Sequence, residues 1–156
     1  MGMMDYVRLS KSKGFSFDGR SQRAEFWWVQ LYYSLISTAI LCASACLMGV
    51  SFVMDGITSF NADSLSNSQA LTFFLTILIS FGAYIWAFVM TIPVSVRRLH
   101  DVGMPGWVYA VTWLFGIGGY FMLVVGCIDG SKGQNKYGWN PKERSGGSYN
   151  RPHGID

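Results

Sequence analysis

Three long runs of apolar residues dominate the pattern of the chain. They cover residues 26–54, 70–96 and 107–128, and none of them contains a charged residue. About 20 consecutive apolar residues are enough for a helix to cross the hydrocarbon core of a bilayer. The pattern therefore predicts an all-α membrane protein with three hydrophobic helical segments at about 26–54, 70–96 and 107–128.

Composition supports the same class of protein. Of the 156 residues, 51% are hydrophobic and 13% are charged, whereas about a quarter are charged in a typical soluble domain. The net charge of +3 is too small to indicate a nucleic-acid partner. We expect a cytoplasmic N-terminal tail at 1–25 with an interfacial helix, a membrane domain at 26–128, a turn-rich motif at 129–144 and a disordered tail at 145–156.

The distribution of basic residues predicts the orientation of the first two segments. The loop 55–69 contains two Asp and no Lys or Arg, whereas the N-terminal tail contains five basic residues, which are Arg8, Lys11, Lys13, Arg20 and Arg23. Lys and Arg accumulate in cytoplasmic loops. The tail is therefore expected in the cytoplasm of a multi-pass membrane protein, and the second segment returns the chain to that side.

The third segment leaves two topologies open. A single crossing would carry the basic residues that follow it to the outside, against the rule that the first two segments obey. The alternative is a kinked or re-entrant segment that turns at the glycines of 115–119, which is tolerated at membrane depth only where protein covers the backbone. At 22 residues the segment suits one crossing, so a single crossing is the expectation and re-entry the alternative.

Three polar motifs flank the apolar runs. FDGRSQRAEFWW at 17–28 precedes the first run, VRRLHDVGMPGW at 96–107 joins the second to the third, and DGSKGQNKYGWNPK at 129–142 follows the third. Gly19 and Ser21 predict a turn followed by a helix N-cap, and Glu25 suits the first turn of that helix. The Gly, Asn and Pro content of the last motif predicts a succession of tight turns.

In this order around three apolar runs, the motifs closely resemble those of the YhaH-like family of small bacterial inner-membrane proteins, described as domain of unknown function 805. The resemblance rests on GRSQRAEFWW, VRRLHDVGMPGW and GQNKYGWNP, and it extends over roughly residues 12–142. The chain departs from the family at Met104 and Pro105, where a basic residue and Ser are frequent. The resemblance implies a fold and an inner-membrane location, and it implies no established activity.

The motifs supply the residues of a predicted interfacial cluster on the cytoplasmic side. We expect this cluster to pin the helix ends and to hold anionic lipid headgroups, and since the apolar runs lack charge we expect no buried charge. No catalytic residue or cofactor is predicted. No metal site is predicted either, because the three cysteines lie in apolar runs without further ligands at zinc-like spacing. The cluster comprises Arg20, Arg23, Glu25, Arg97, Arg98, His100, Asp101, Trp107, Asn135 and Tyr137.

These features favour a non-enzymatic membrane module that assembles with itself or with other envelope proteins. Small residues such as Ala39, Ala43 and Gly49 would allow membrane helices to approach closely. Its partners would be the bilayer with anionic headgroups, a second copy or other membrane proteins, and no nucleic acid. The alternatives are a small transporter or channel component and a membrane-surface enzyme that uses His100 and Asp101, although adjacent helical residues point about 100° apart.

Overall fold

The described residues, 2–58 and 67–142 of a computed structural model, form helices and turns without a β-strand. The prediction of an all-α membrane protein is confirmed. The expected disordered tail at 145–156 lies outside the described residues, as does most of the loop between the first two segments. The helices are α1 (Met3–Ser12), α2 (Arg23–Thr58), α3 (Asn67–Val102), α4 (Trp107–Leu114) and α5 (Gly118–Cys127).

The chain divides into two compact units, and α2 and α3 contribute to both. One unit contains the described residues before Gln30 and after Thr91, and the other is Gln30–Thr91. In the second unit, the hydroxyl oxygens of Ser44 and Ser80 lie 3.0 Å apart. The rings of Tyr33 and Trp86 meet edge to face with centroids 5.3 Å apart. Such hydrogen bonds and close contacts hold helices together where lipid removes the hydrophobic driving force.

Helices α2 and α3 are long and apolar enough to cross a membrane, and only 6% of the most apolar window of each is buried in the protein. Both extend beyond the predicted apolar runs. Large apolar side chains such as Leu47 at 68% and Phe81 at 63% are exposed. Lipid is the solvent in which such surfaces are stable, because a helix that is hydrophobic on all sides must be covered by protein or by lipid.

One prediction about the N-terminal region needs correction. Helix α2 begins at Arg23, so Ser21 is not its N-cap, and within the described part of the chain the buried Ser21 hydroxyl has no hydrogen-bond partner. The expected N-terminal helix exists as α1, but its Val7 is 2% exposed. That side chain packs inside the protein.

The third apolar segment forms two short helices separated by a turn. The break lies at Gly116, which adopts φ of 73°. The N–H of Gly116 donates to the carbonyl of Trp113, and the N–H of Ile117 donates to that of Thr112, both at 3.0 Å. This pairing is a Schellman cap, which ends a helix at a residue in the left-handed region that favours glycine.

Both ends of this segment lie beside the last turns of α3. A Cβ added to Gly106, just before α4, would meet Val96 at 2.7 Å and the His100 ring at 3.3 Å. Just after α5, the carbonyl of Ile128 accepts a hydrogen bond from Arg98. A continuous helix of this length would hold its ends about 33 Å apart. The third segment is therefore not one continuous helix, and α4 and α5 form a helical hairpin.

Candidate functional site

The carboxyl end of α5 is capped by side chains from α2 and α3. Arg98 Nε donates to the carbonyl of Val125 at 3.1 Å, and its Nη2 donates to that of Ile128. Trp27 Nε1 donates to Gly126 at 3.2 Å, and Arg23 Nη1 donates to Cys127 at 3.1 Å. The last four carbonyls of a helix have no intrahelical partner. Three side chains supply these missing donors where the chain leaves the apolar segment.

Asp101 lies between two arginines. Its Oδ1 accepts a hydrogen bond from Arg20 Nε at 2.9 Å, and its Oδ2 accepts one from Arg98 Nη1. The carboxylate is 4% exposed and the two guanidinium groups are 1% and 0% exposed. Arg98 and Asp101 are three residues apart in α3, a spacing that brings side chains together on one helix face. A buried carboxylate needs such charged donors to offset its lost hydration.

A second buried carboxylate, that of Glu25, lies at the start of α2 and is also paired with cations. It accepts two hydrogen bonds from Lys13 Nζ, at 3.0 and 3.1 Å, and it lies 3.5 Å from Arg97 Nη2. Arg97 Nη1 also donates to the carbonyl of Ser16 at 2.9 Å. Among the described residues its Nε has no partner. Glu25 therefore joins the segment after α1 to the end of α3.

Five buried charges form what we call the buried charge network: Arg20, Glu25, Arg97, Arg98 and Asp101, each no more than 5% exposed. The expectation of no buried charge is wrong, and so is the assignment of Arg20, Arg97 and Arg98 to lipid headgroups, since these side chains do not reach the surface. The network has three cations against two carboxylates. Backbone carbonyls compensate the surplus, because guanidinium groups offer five donors in a planar fork.

The turn-rich motif docks on the network. Arg20 Nη1 donates to the carbonyls of Gly133 at 2.8 Å and Gly138 at 3.2 Å. The backbone N–H of Ser131 donates to the Asp101 carbonyl at 2.9 Å. A Cβ on Gly130 would lie 2.1 Å from Asp101 Oδ2, so only glycine allows the motif to pass this close to the carboxylate. The charged residues thus organise the turns that follow α5.

His100 is held by the first and third motifs. Its ring stacks on that of Tyr137 with centroids 3.8 Å apart and planes 5° apart, and Nδ1 lies 3.3 Å from the Gly19 carbonyl. Asn135 Nδ2 donates to the His100 carbonyl at 2.9 Å. His100 and Asp101 therefore have different partners, as their adjacent positions on a helix require. The contacts of His100 and Asp101 hold neighbouring backbone in place, and they do not orient the two side chains toward one another.

Two of the predicted residues lie at the edge of the site. The Trp107 side chain is 66% exposed, as expected of an aromatic residue at the membrane interface. Arg23, 40% exposed, forms an ion pair with Asp129 at 2.8 Å, and Lys142 contacts the same Asp129 oxygen at 3.0 Å. The hydrogen bond from Lys142, helped by the charge of Arg23, holds the pKa of Asp129 below its ordinary value.

Sequence reasoning missed Lys13, Trp27, Ser131 and Asp129 as partners of the cluster. The Trp27 N–H caps α5 by donating to the carbonyl of Gly126. The charges of Lys13 and Asp129 were the one signal available, because a buried or partly buried charge needs a partner of opposite charge. Their pairing could not be deduced from the sequence. Lys13 and Glu25 are brought together by the turn between α1 and α2, and Arg23 and Asp129 are far apart in sequence.

The same motifs decide the family. The family model described as "Protein of unknown function (DUF805)" matches residues 14–139. The chain belongs to the DUF805 family. This confirms the resemblance, and the buried charge network lies within the matched DUF805 region. In Escherichia coli strain K12 and in Escherichia coli O157:H7, the inner membrane protein YhaI is 27% identical over 126 residues, covering 81% of this chain and 86% of the relative. No solved structure matches the chain.

The chemistry that this DUF805 site offers is hydrogen bonding between charges and backbone. Within residues 2–58 and 67–142, no group of three His, Cys, Asp or Glu side chains is placed to hold a metal ion. Both buried carboxylates accept hydrogen bonds from two cations each. The arrangement joins four parts of the chain, namely the segment before α2, the end of α3, the end of α5 and the turn-rich motif.

Proposed function

We propose that this membrane protein is a non-enzymatic, multi-pass inner-membrane module that assembles with itself or with other envelope proteins. The observation that carries the proposal is the engagement of the buried charge network with backbone carbonyls of α5 and the turn-rich motif. A charged group whose donors or acceptors are already used by the protein has little capacity to bind or transform a substrate. In this proposal the network stabilises a platform on one face of the membrane.

The proposed topology has two crossing helices, α2 and α3, and a re-entrant hairpin, α4–α5. The hairpin arms contain 8 and 10 residues, so each reaches about 12–15 Å, roughly half of the hydrocarbon core. The N-terminal tail and the turn-rich motif then share the cytoplasmic side. This arrangement places the basic residues of both regions where the positive-inside rule favours them.

Labelling of single cysteines in intact cells tests this topology. The native cysteines are replaced, and Ser12→Cys, Ser64→Cys and Lys132→Cys are introduced one at a time. A membrane-impermeant maleimide is expected to label position 64 only, and permeabilised cells should allow labelling of 12 and 132. Labelling of position 132 from outside with position 12 protected would mean that the third segment crosses the membrane, and would reject the shared cytoplasmic side.

Assembly is supported by the open faces of the second unit and of the hairpin. Small residues on α2, including Ala39, Ala43 and Gly49, are exposed, and such residues permit close helix packing. At the hairpin tip, Leu114 is 82% and Phe115 73% exposed, although backbone at membrane depth requires cover by protein or water. Crosslinking in intact membranes, followed by purification, is expected to recover a dimer or a defined membrane protein. Recovery of monomer with lipid alone would count against assembly.

Transport is the second candidate function, and one observation favours it. Helix α5 begins after a break in the middle of an apolar segment, and transporters use such discontinuous helices for their substrate sites. Against it, neither α4 nor α5 contains a charged residue, whereas residues of that kind mark most pathways for ions and protons. Flux through proteoliposomes above that of protein-free liposomes would raise transport over assembly.

A further inference from the structure

The exposed side of α5 carries a shallow, largely open apolar depression, which we call the α5 groove and which the buried charge network does not use. Its volume is about 450 Å³, and it is lined by Leu123, Val124, Cys127 and Ile128. These residues occupy the last two turns of α5 and the position after it, so the groove ends where the chain leaves the apolar segment. An open apolar surface that ends at the polar edge of a membrane can be covered by one acyl chain of a lipid.

Cationic groups stand at the polar end of this groove. Arg23 Nη1 donates to the carbonyl of Cys127 at 3.1 Å, and Cys127 is itself a lining residue. Arg23 Nη2 lies 2.8 Å and Lys142 Nζ 3.0 Å from the same Asp129 oxygen. The side chains of Arg23, Lys142 and Asp129 are 40%, 48% and 68% exposed. These three residues, which we call the rim triad, present two positive charges and one negative charge.

The rim triad differs from the buried charge network in its exposure at the surface. Arg20, Arg97 and Arg98 are sealed inside the protein, so Arg23 is the one arginine of the predicted headgroup cluster with a substantially exposed side chain. The C-terminal end of α5 would otherwise repel an anion, because helix carbonyls concentrate negative charge there. Donors from Arg23, Trp27 and Arg98 cover those carbonyls. The net charge of the triad, +1, is complementary to a lipid with one net negative charge.

We propose that the α5 groove and the rim triad form a binding site for one anionic phospholipid, with an acyl chain along Leu123, Val124, Cys127 and Ile128 and the phosphate at Arg23 and Lys142. The proposal rests on the proposed function only for the side of the membrane on which the site lies. Zwitterionic phospholipids fit the groove equally well but lack the net charge. The site therefore selects lipids by headgroup charge.

Native mass spectrometry of the full chain in detergent measures this selection directly. Phosphatidylglycerol and phosphatidylcholine with identical acyl chains are the probes. One basic residue near a membrane surface favours an anionic lipid by an amount that corresponds to about a fivefold change in affinity. We expect phosphatidylglycerol to bind about fivefold more tightly than phosphatidylcholine. Equal affinity of the two lipids for the unmodified protein would overturn the proposal.

Two substitutions in the triad are expected to act in opposite directions. Arg23→Gln removes the net charge and should bring the affinity for phosphatidylglycerol to that for phosphatidylcholine. Asp129→Asn raises the net charge to two and should tighten phosphatidylglycerol binding about fivefold. Arg8→Gln, on the exposed side of α1, removes the same charge away from the site and should change nothing. A triad with only a structural role would weaken binding in both variants, and that result would overturn the proposal.

Further experiments distinguish the binding of lipid from the binding of free phosphate, and a loss of binding from a loss of folding. Val124→Trp fills the groove and should weaken both lipids equally, while inorganic phosphate at constant ionic strength should displace neither. Displacement of phosphatidylglycerol by inorganic phosphate would identify a bare anion site instead. Arg23→Lys should keep the selectivity if Arg23→Gln proves unstable by thermal unfolding. Binding in detergent is independent of membrane sidedness, so a failed topology test leaves this result unaffected, and the reverse also holds.

Discussion

Arg98 shows how one side chain connects several parts of the molecule. From the last turns of α3 it donates to Asp101 in its own helix, to the carbonyls of Val125 and Ile128 at the end of α5, and, at 3.5 Å, to the carbonyl of Ser21 before α2. The residue is fully buried. Its planar fork can serve acceptors in several directions, whereas the ammonium of lysine is a compact point charge.

Arg98→Ala is expected to destabilise the protein strongly. The substitution removes one cation from Asp101 and the Arg98 donors from the carbonyls of Val125 and Ile128, and breaking a buried pair in this way costs about 3–5 kcal/mol. Arg98→Lys should recover only part of the loss. The measurement is the free energy of unfolding in detergent micelles.

Arg8→Ala is the matched control for this prediction, because Arg8 lies exposed on α1. Surface substitutions of this kind usually change stability by no more than about 0.5 kcal/mol. Equal unfolding free energies for the Arg98→Ala and Arg8→Ala proteins would show that the contacts of Arg98 contribute nothing. A lysine variant as stable as the unmodified protein would show that charge alone suffices.

Among the elements, the hairpin depends on how α4 ends. The turn at Gly116 returns the chain toward α3, and its left-handed backbone conformation, with φ of 73°, is one that residues with a side chain adopt at a cost. The N–H groups of Gly116 and Ile117 satisfy two carbonyls of α4. This local pairing matters in an apolar medium, where water is not available to replace a lost hydrogen bond.

Gly116→Ala is expected to destabilise the hairpin by about 1–2 kcal/mol, because the new Cβ is forced into the left-handed region. Gly119→Ala provides a control in the same hairpin, since Gly119 is helical and a Cβ there meets nothing within 4 Å. That change should be neutral or slightly stabilising, because alanine is the better helix former. Unfolding of both variants in micelles compares them, and equal effects would reject the role of the turn.

For the whole molecule, two classes of ionic contact should respond differently to salt. The buried charge network is shielded from solvent, whereas the side chains of the rim triad are between 40% and 68% exposed. Raising ionic strength shortens the screening length from about 10 Å at 0.1 M to about 3 Å at 1 M, and buried pairs are screened much less than exposed ones. Varying the salt concentration can therefore separate the ionic contacts that stabilise the fold from those that bind lipid at the surface.

Sodium chloride at high concentration is expected to abolish the preference for phosphatidylglycerol while leaving the unfolding temperature almost unchanged. Lipid affinity and thermal unfolding are measured on the same preparation across the salt series. Arg23→Gln, which should lack the preference at low salt, serves as the reference. A large fall in unfolding temperature with salt would place the stabilising charges at the surface, contrary to their burial.

Acid should act on the contacts that Asp129 makes within the rim triad. The pKa of Asp129 is depressed in the folded protein. Its contacts with Arg23 and Lys142 are therefore fully formed above the ordinary pKa of a carboxyl group, and they are lost as the pH falls through the lowered pKa. Because this side chain is mostly exposed, the effect on the stability of the whole protein is small. Its contribution lies in the local charge at the groove.

Much of the fold was predictable because lipid imposes a simple rule on sequence. Helices α2 and α3 follow from their uncharged runs, and the turns after α5 follow from the Gly, Asn and Pro content of the last motif. Helix ends were less predictable. Ser21 has the chemistry of an N-cap, but α2 begins at Arg23 and buries the hydroxyl. Short-range pattern cannot reveal that the backbone of Ser21 pairs with Arg97 and Arg98 of α3.

The sequence by itself determined the membrane environment, the two long helices and the family, since each depends on local composition or on contiguous motifs. Only the tertiary structure decided that the third apolar segment folds back, and that Arg20, Arg97 and Arg98 point into the protein. The physical reason is that an arginine at a membrane edge has acceptors available in lipid phosphate and in backbone carbonyls. Which of them it meets depends on carbonyls contributed from distant positions, such as Val125, Ile128 and Gly133.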